Sequence, residues 1–147
     1  MTRVAVATCA HADDPDSHAL LAALGDEGVD ADARDWDAPE VQWDAYDLVV
    51  VRSTWDYATR RAEFLAWARR VRHLANPYPV IEYSSDKHYL AHLASRGVRV
   101  VASTFVDVGD EVALPDGDVV VKPAVGAGSI DAARWRADQR DAAIAHV

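Results

Sequence analysis

The chain has 147 residues, of which half are hydrophobic and 27% charged, and it carries a formal net charge of −9. That is enough apolar material for a packed core and argues against general disorder. The acidic balance argues against nucleic acid as a partner, because binding a phosphate backbone needs clustered positive charge. A single cysteine, Cys9, excludes an internal disulfide framework and fits a reducing compartment. No apolar run nears the length a membrane helix needs, and a strand pattern from Arg3 leaves no room for a signal peptide, so the expectation is a soluble, cytoplasmic protein with no membrane association.

Taken in chain order, Val4–Thr8 reads as an apolar strand. Asp16 or Ser17 can cap a helix running through Leu24, in which Leu20, Leu21 and Leu24 recur at helical spacing. Gly25 and Gly28 end it, and Val29–Arg34 follows as a second strand. Asp47–Val51 is the clearest buried strand of the chain. A helix is expected from Thr59 to Leu74, with Phe64, Leu65, Trp67, Ala68 and Val71 on its apolar face. Strands alternating with helices predict parallel pairing: an α/β, Rossmann-like domain over residues 1–75 that lacks a dinucleotide loop. The segment Asn76–Pro79 reads as a hinge to a second unit over 76–147. There, Ser85 or Asp86 caps a helix through Ser95 that Gly97 terminates; Val98–Val101 and Phe105–Val108 read as short strands, and Arg134–Val147 as a helix.

The most informative run is Val119-Val-Val-Lys-Pro-Ala-Val-Gly-Ala-Gly-Ser129. Its β-branched residues and Lys122 make an extended segment that Pro123 ends, and Gly126 and Gly128 let backbone N–H groups turn toward an anion. No Gly-Lys-Ser/Thr closes the loop, so it is not a Walker A motif, and the third glycine of a dinucleotide fingerprint is missing. Two readings stand for Lys122: a phosphate contact, or an edge-strand lysine that snorkels to water. The glycine loop alone also fits a plain hairpin turn before Asp131–Trp135. Lys87 falls in the first turn of its helix, where a cation opposes the macrodipole and favours an anionic ligand, or where it pairs with Glu82 or Asp86 on the surface.

Arg52, Ser53, Thr54, Trp55, Asp56 and Tyr57 follow the best strand, where open parallel sheets bind ligands. Arg52 there can hold a substrate carboxylate; the competing reading is a packed loop with Trp55 and Tyr57 in the core and Asp56 capping the next helix. His88 and His92 lie four apart, but no third metal ligand is spaced to join them. Asp13, Asp14 and Asp16 crowd the loop after the first strand, yet the position where a phosphoacceptor aspartate belongs is Arg52. No metal ligand is assigned from spacing.

The Lys122 strand with its glycine loop resembles the ATP-grasp superfamily. Asn76-Pro77 followed by Asp86-Lys87-His-Tyr-Leu90 is similar to the entry helix of that family, and Asp47–Tyr57 is similar to the amino-terminal domain of its glutathione-synthetase-like branch, which includes the O-ureido-D-serine cyclo-ligase type. Where the family usually shows proline-threonine, this chain has Ala102-Ser103-Thr104. The resemblance implies ATP as cosubstrate with Mg²⁺ and a small carboxylate substrate activated as an acyl phosphate. It makes Lys87 and Lys122 ATP contacts and places Gly126, Ala127, Gly128 and Ser129 over the β- and γ-phosphates; the substrate is expected at Arg52, Thr54, Trp55, Asp56 and Tyr57 from their position beyond the strand end. The Mg²⁺ ligands of the family fall outside this chain, as does its adenine-binding strand. The expectation is therefore the front portion of a carboxylate–amine or cyclo-ligase, inactive alone, whose catalytic residues and oligomeric state are open, a homodimer included. The alternative is a catalytically incomplete Rossmann-like binding or interaction module, or a truncated pseudoenzyme.

Overall fold

The computed structural model describes residues 1–10 and 14–147. It divides into two compact units, Met1–Tyr83 and Ser84–Val147.

In the first unit, β1 (Arg3–Thr8) is the central strand of a parallel sheet ordered β2-β1-β3, with β2 spanning Asp30–Asp35 and β3 spanning Leu48–Ser53. Val4 faces Ala31 across one ladder and Ala5 faces Val49 across the other. The register slips between Ala7 and Thr8, at the carboxyl end of β1. Past β3, the backbone of Val49 donates to His73 O at 2.8 Å and accepts from Ala75 N at 2.8 Å, so the segment around Leu74 adds a further parallel bridge. This bridge explains why α2 (Arg61–Arg70) stops before the expected Leu74: Val71 is already extended, because the chain turns to pair with the sheet.

The helix α1 (Pro15–Asp26) starts earlier than a cap at Asp16 or Ser17 would allow. Pro15 lacks an N–H and has a helical φ, which suits the first helical position, and Asp14 is the cap. The Asp14 carboxylate accepts from Asp16 N at 3.0 Å and Ser17 Oγ at 3.0 Å. The proline-bearing segment after Asn76 opens α3 (Tyr78–Ser84), the Pro77 carbonyl accepting from Val80 N at 2.8 Å.

The main hydrophobic cluster lies on one face of the sheet, and Val4 and Val6, which alternate with Ala5 and Ala7 along β1, are buried on the other. Ala5 and Ala7 of β1 are fully buried, and their small side chains leave room for the large rings stacked above them. Trp36, Phe64 and Trp67 interlock there, with ring centroids 5.4 Å, 6.0 Å and 5.4 Å apart. Each buried aromatic ring is worth about 1.5–3 kcal/mol in removed apolar surface, so this trio is the main apolar contribution to the unit.

The second unit holds α4 (Tyr89–Ser95), an antiparallel pair β4 (Val119–Val121) and β5 (Ala133–Trp135), and α5 (Arg140–His146). Gly97 adopts φ 79° and closes α4 as expected. Two expectations fail here. Neither Val98–Val101 nor Phe105–Val108 forms a strand, and Val101 is 80% exposed. Both segments are rich in valine, but propensity yields a strand only where another strand pairs with it. The expected helix from Arg134 likewise divides: residues to Trp135 pair with β4, and helix resumes at Arg140. Among the described residues of this unit only Ser85 and Ala143 are buried. No helix of the described chain is long and apolar enough to cross a membrane.

Candidate functional site

The strand order puts β1 between β2 and β3, and in open parallel sheets of this kind the carboxyl ends of the strands are the place where ligands bind. Asp14, Arg52, Ser53 and Thr54 stand at this end. The Asp14 carboxylate accepts from Ser53 Oγ at 2.5 Å and from Arg52 Nε at 3.0 Å, in addition to its helix-capping bonds. The Ser53 hydroxyl above all, with the Ser17 hydroxyl, the Asp16 amide and the Arg52 charge, holds Asp14 down to a pKa of about 2 against the opposing effect of burial. Arg52 also reaches Asp16 at 3.5 Å. Its guanidinium is therefore seated on two carboxylates of its own chain. Asp13, the remaining member of the acidic trio, lies outside the described residues.

The residues after Arg52 part company. Ser53 and Thr54 are buried, and the Thr54 carbonyl accepts from Tyr57 N at 3.0 Å. Asp56 accepts from Trp36 Nε1 at 2.9 Å and from Arg60 Nη1 at 3.2 Å, which ties the loop to the core. Tyr57 packs on Phe64 with centroids 5.6 Å apart. Trp55 is 43% exposed, so it is the ring of this set turned toward solvent. Arg52 thus lies on β3 and Thr54, Trp55, Asp56 and Tyr57 in the turn that follows it, where Asp56 and Tyr57 are held by core contacts.

In the second unit the expected phosphate residues form one cluster. Lys87 precedes α4, where the Asp86 carboxylate accepts from His88 N at 3.0 Å. Lys87 is joined to the glycine loop twice: its backbone N–H donates to Ala124 O at 2.9 Å, and its Nζ donates to Ala124 O at 3.2 Å and Gly126 O at 3.3 Å. Burial lowers the Lys87 pKa, and the nearby Lys122 ammonium lowers it further, with Asp86 opposing. Lys122 is exposed just after β4 and makes no ion pair among the described residues.

The loop between Lys122 and Ala132 joins β4 to β5, so it is a hairpin connection. Gly128 has φ 61°, and Ser129 and Asp131 adopt φ 59° and 55°, a left-handed conformation that costs a side-chain-bearing residue energy. A Cβ at Gly126 would rest in ordinary van der Waals contact with Lys87 Nζ, at 3.6 Å. His88 lies against the Phe105 ring at 4.0 Å. No group of three or more His, Cys, Asp or Glu able to hold a metal forms among the described residues.

What the sequence reading missed was the partners. Asp14 as an anchor for Arg52 and Ser53, 38 and 39 residues away, follows from sheet topology and from Pro15 fixing the helix start. The contact of Lys87 with Ala124 and Gly126 likewise depends on pairing that no local pattern encodes.

A parallel sheet with helices and polar side chains at its carboxyl end defines a mixed α/β domain. Residues 4–78 match the family described as D-cycloserine synthetase DcsG, N-terminal domain, and the chain belongs to that family. It is 37% identical over 147 residues to the cycloserine biosynthesis protein DcsG of Streptomyces lavendulae, covering 91% of this chain and 49% of that protein. Its fold matches the crystal structure of D-cycloserine synthetase DcsG with a TM-score of 0.85 and 34% identity, over 99% of this chain and 54% of the other. The chain thus spans about half the length of these relatives.

Proposed function

We propose that this chain is the front portion of an ATP-dependent carboxylate–amine or cyclo-ligase of the ATP-grasp type, in which Lys87, Lys122 and the loop Gly126–Ser129 bind the phosphates of ATP. The carrying observation is the meeting of two ammonium groups at a glycine loop, Lys87 carrying a lowered pKa because it is desolvated beside Lys122. A polyphosphate relieves that repulsion and turns an electrostatic cost into a binding contribution. ATP supplies a phosphoryl group to a substrate carboxylate, and an amine then attacks the acyl phosphate and expels phosphate. The loop's backbone N–H groups, with the Ser129 hydroxyl, offset charge that develops on the transferring group. Trp55, exposed at the sheet's carboxyl end, would meet the substrate there, with Arg52 reaching it from its seat on Asp14 and Asp16. Mg²⁺ accompanies ATP in this reading, and no step is assigned to residues of this chain through it. The names of the relatives favour cycloserine synthesis as the reaction served.

Calorimetric titration of ATP into the protein tests the reading, with Lys122→Ala expected to weaken affinity about tenfold or more, the scale of one charged hydrogen bond. Unchanged affinity in Lys122→Ala would remove these residues from the site. A second reading, a catalytically incomplete binding or interaction module, is favoured by the second unit's burial of only Ser85 and Ala143 among its described residues. On that reading neither Lys87→Ala nor Lys122→Ala alters the response to ATP.

A further inference from the structure

In the second unit, Asp116-Gly117 is the only Asp-Gly pair of the chain, and the only asparagine, Asn76, precedes a proline that has no N–H. The pair forms the bend before β4, and both residues are exposed. Its flanks are pinned. On one side Arg140 holds the carbonyls of Leu114 at 2.7 Å and Pro115 at 2.9 Å. On the other, the Asp118 carboxylate accepts from Arg134 Nη2 at 2.9 Å and from Ala137 N at 3.2 Å. Between these anchors, the Asp116 carboxyl and the Gly117 N–H have no hydrogen-bond or ion-pair partner among the described residues. Gly117 has φ 88°, and a Cβ there would meet nothing within 4 Å, so its nitrogen is unhindered.

Other aspartates of the chain lack that freedom. Asp16 is exposed too, but the N–H of Ser17 is spent on Asp14 O at 3.1 Å in the first turn of α1. The N–H groups of Ala45, Tyr57 and Ala132, each of which follows an aspartate, are likewise bonded to backbone carbonyls.

We propose that Asp116 is a modification site, at which the chain converts spontaneously to isoaspartate. The Gly117 nitrogen attacks Cγ of the protonated Asp116 carboxyl and an N–C bond forms. The carboxyl hydroxyl leaves with the amide proton as water. The resulting succinimide takes water back at either carbonyl. Opening at one restores aspartate; opening at the other leaves the backbone running through Cβ, with a free α-carboxylate. Glycine suits the step because no side chain obstructs its nitrogen. The product is what an S-adenosylmethionine-dependent isoaspartyl methyltransferase esterifies, which defines the class of partner. The added backbone atom falls between the Arg140 and Asp118 anchors. The assignment uses no residue of the nucleotide or substrate reading.

The test ages the chain at neutral pH and body temperature, folded and in denaturant, and then digests it with trypsin. Electron-transfer fragmentation locates isoaspartate, Asp16 and Asp116 falling on separate peptides. Methyl transfer from labelled S-adenosylmethionine by an isoaspartyl methyltransferase reads the total. In the folded chain isoaspartate accumulates at 116 and not at 16, whereas denaturant brings Asp16 into reaction and changes the rate at 116 little. Asp116→Glu, an exposed change that leaves both anchors in place, loses the methyl acceptance of the folded chain, because the larger ring closes far more slowly. Asp116→Asn speeds the accumulation, since ammonia leaves without prior protonation of a carboxylate. A folded chain that keeps aspartate at 116 overturns the proposal. So does methyl acceptance that survives Asp116→Glu.

Discussion

The two units of this chain organise their apolar residues in opposite ways. The first gathers Ala5, Ala7, Val49, Phe64 and Trp67 into one buried cluster on a parallel sheet. The second leaves Val101, Val120 and Ile130 at 80%, 60% and 63% exposure and is joined by hydrogen bonds instead. Lys87 on the glycine loop and Arg140 on the carbonyls of Leu114 and Pro115 are examples. Removing apolar surface from water is the main driving force of folding, so resistance to unfolding resides chiefly in the first unit. Hydrogen bonds to exposed backbone exchange readily with water, which suits a loop that must rearrange around a ligand.

The sharpest way to break this contrast is a pair of truncations. Phe64→Ala should cost about 3–5 kcal/mol in denaturant unfolding, from lost burial and the cavity left beneath Trp36 and Trp67. Val120→Ala, on an exposed strand face, should stay within about 0.5 kcal/mol. Equal effects would mean that the second unit has a core of its own.

Titration of Lys87 sharpens the comparison on the side of function. Its folded pKa lies below the ordinary 10.5, so the folded state carries a penalty while Lys87 is protonated, relieved as pH rises through the lowered value. A bound polyphosphate favours the charged form and raises that pKa again. Nucleotide affinity should therefore fall as pH climbs through the Lys87 pKa, with proton uptake on binding visible by calorimetry in buffers of different ionisation enthalpy. Lys87→Ala should erase the uptake.

Backbone conformation gives a smaller effect. At Gly128, with φ 61° and open space around a would-be Cβ, Gly128→Ala should cost about 1 kcal/mol, from the left-handed conformation alone. At Ser129, the change to glycine should act in the opposite sense, as it relieves φ 59°.

The last effect appears only in acid. Asp14, held at a pKa of about 2 against an ordinary 3.8, contributes stability that is fully present above 3.8 and lost as pH falls through about 2. Asp14→Asn keeps a capping side chain but loses the charge, so the melting temperature should become flatter across that acid window. A wild-type-like acid profile would contradict the role given to Ser53 and Arg52.

How much of this was legible in the sequence follows the same division. β1 and β3 announce themselves as apolar runs, and the apolar face of α2 is readable because Phe64, Trp67 and Ala68 recur at helical spacing. The end of α2 is not, because the competing attraction is the pairing of Leu74 with Val49. In the second unit, valines at 98, 100 and 101 carry strand propensity into a segment with no strand beside it. Candidate residues at strand ends could be named from position alone, whereas Asp14 beside Arg52 and Lys87 beside Gly126 required the chain to be folded first.

Lys87 grips the loop by its amide as well as by its amine. Lifting the segment at Ala124 exposes that amide to solvent, so a single exchangeable proton becomes a clock for loop opening. Its deuterium uptake would time each excursion without any ligand in the tube, and the Ala124→Pro change, which leaves the accepting carbonyl in place, would show whether the clock depends on how freely the loop backbone swings.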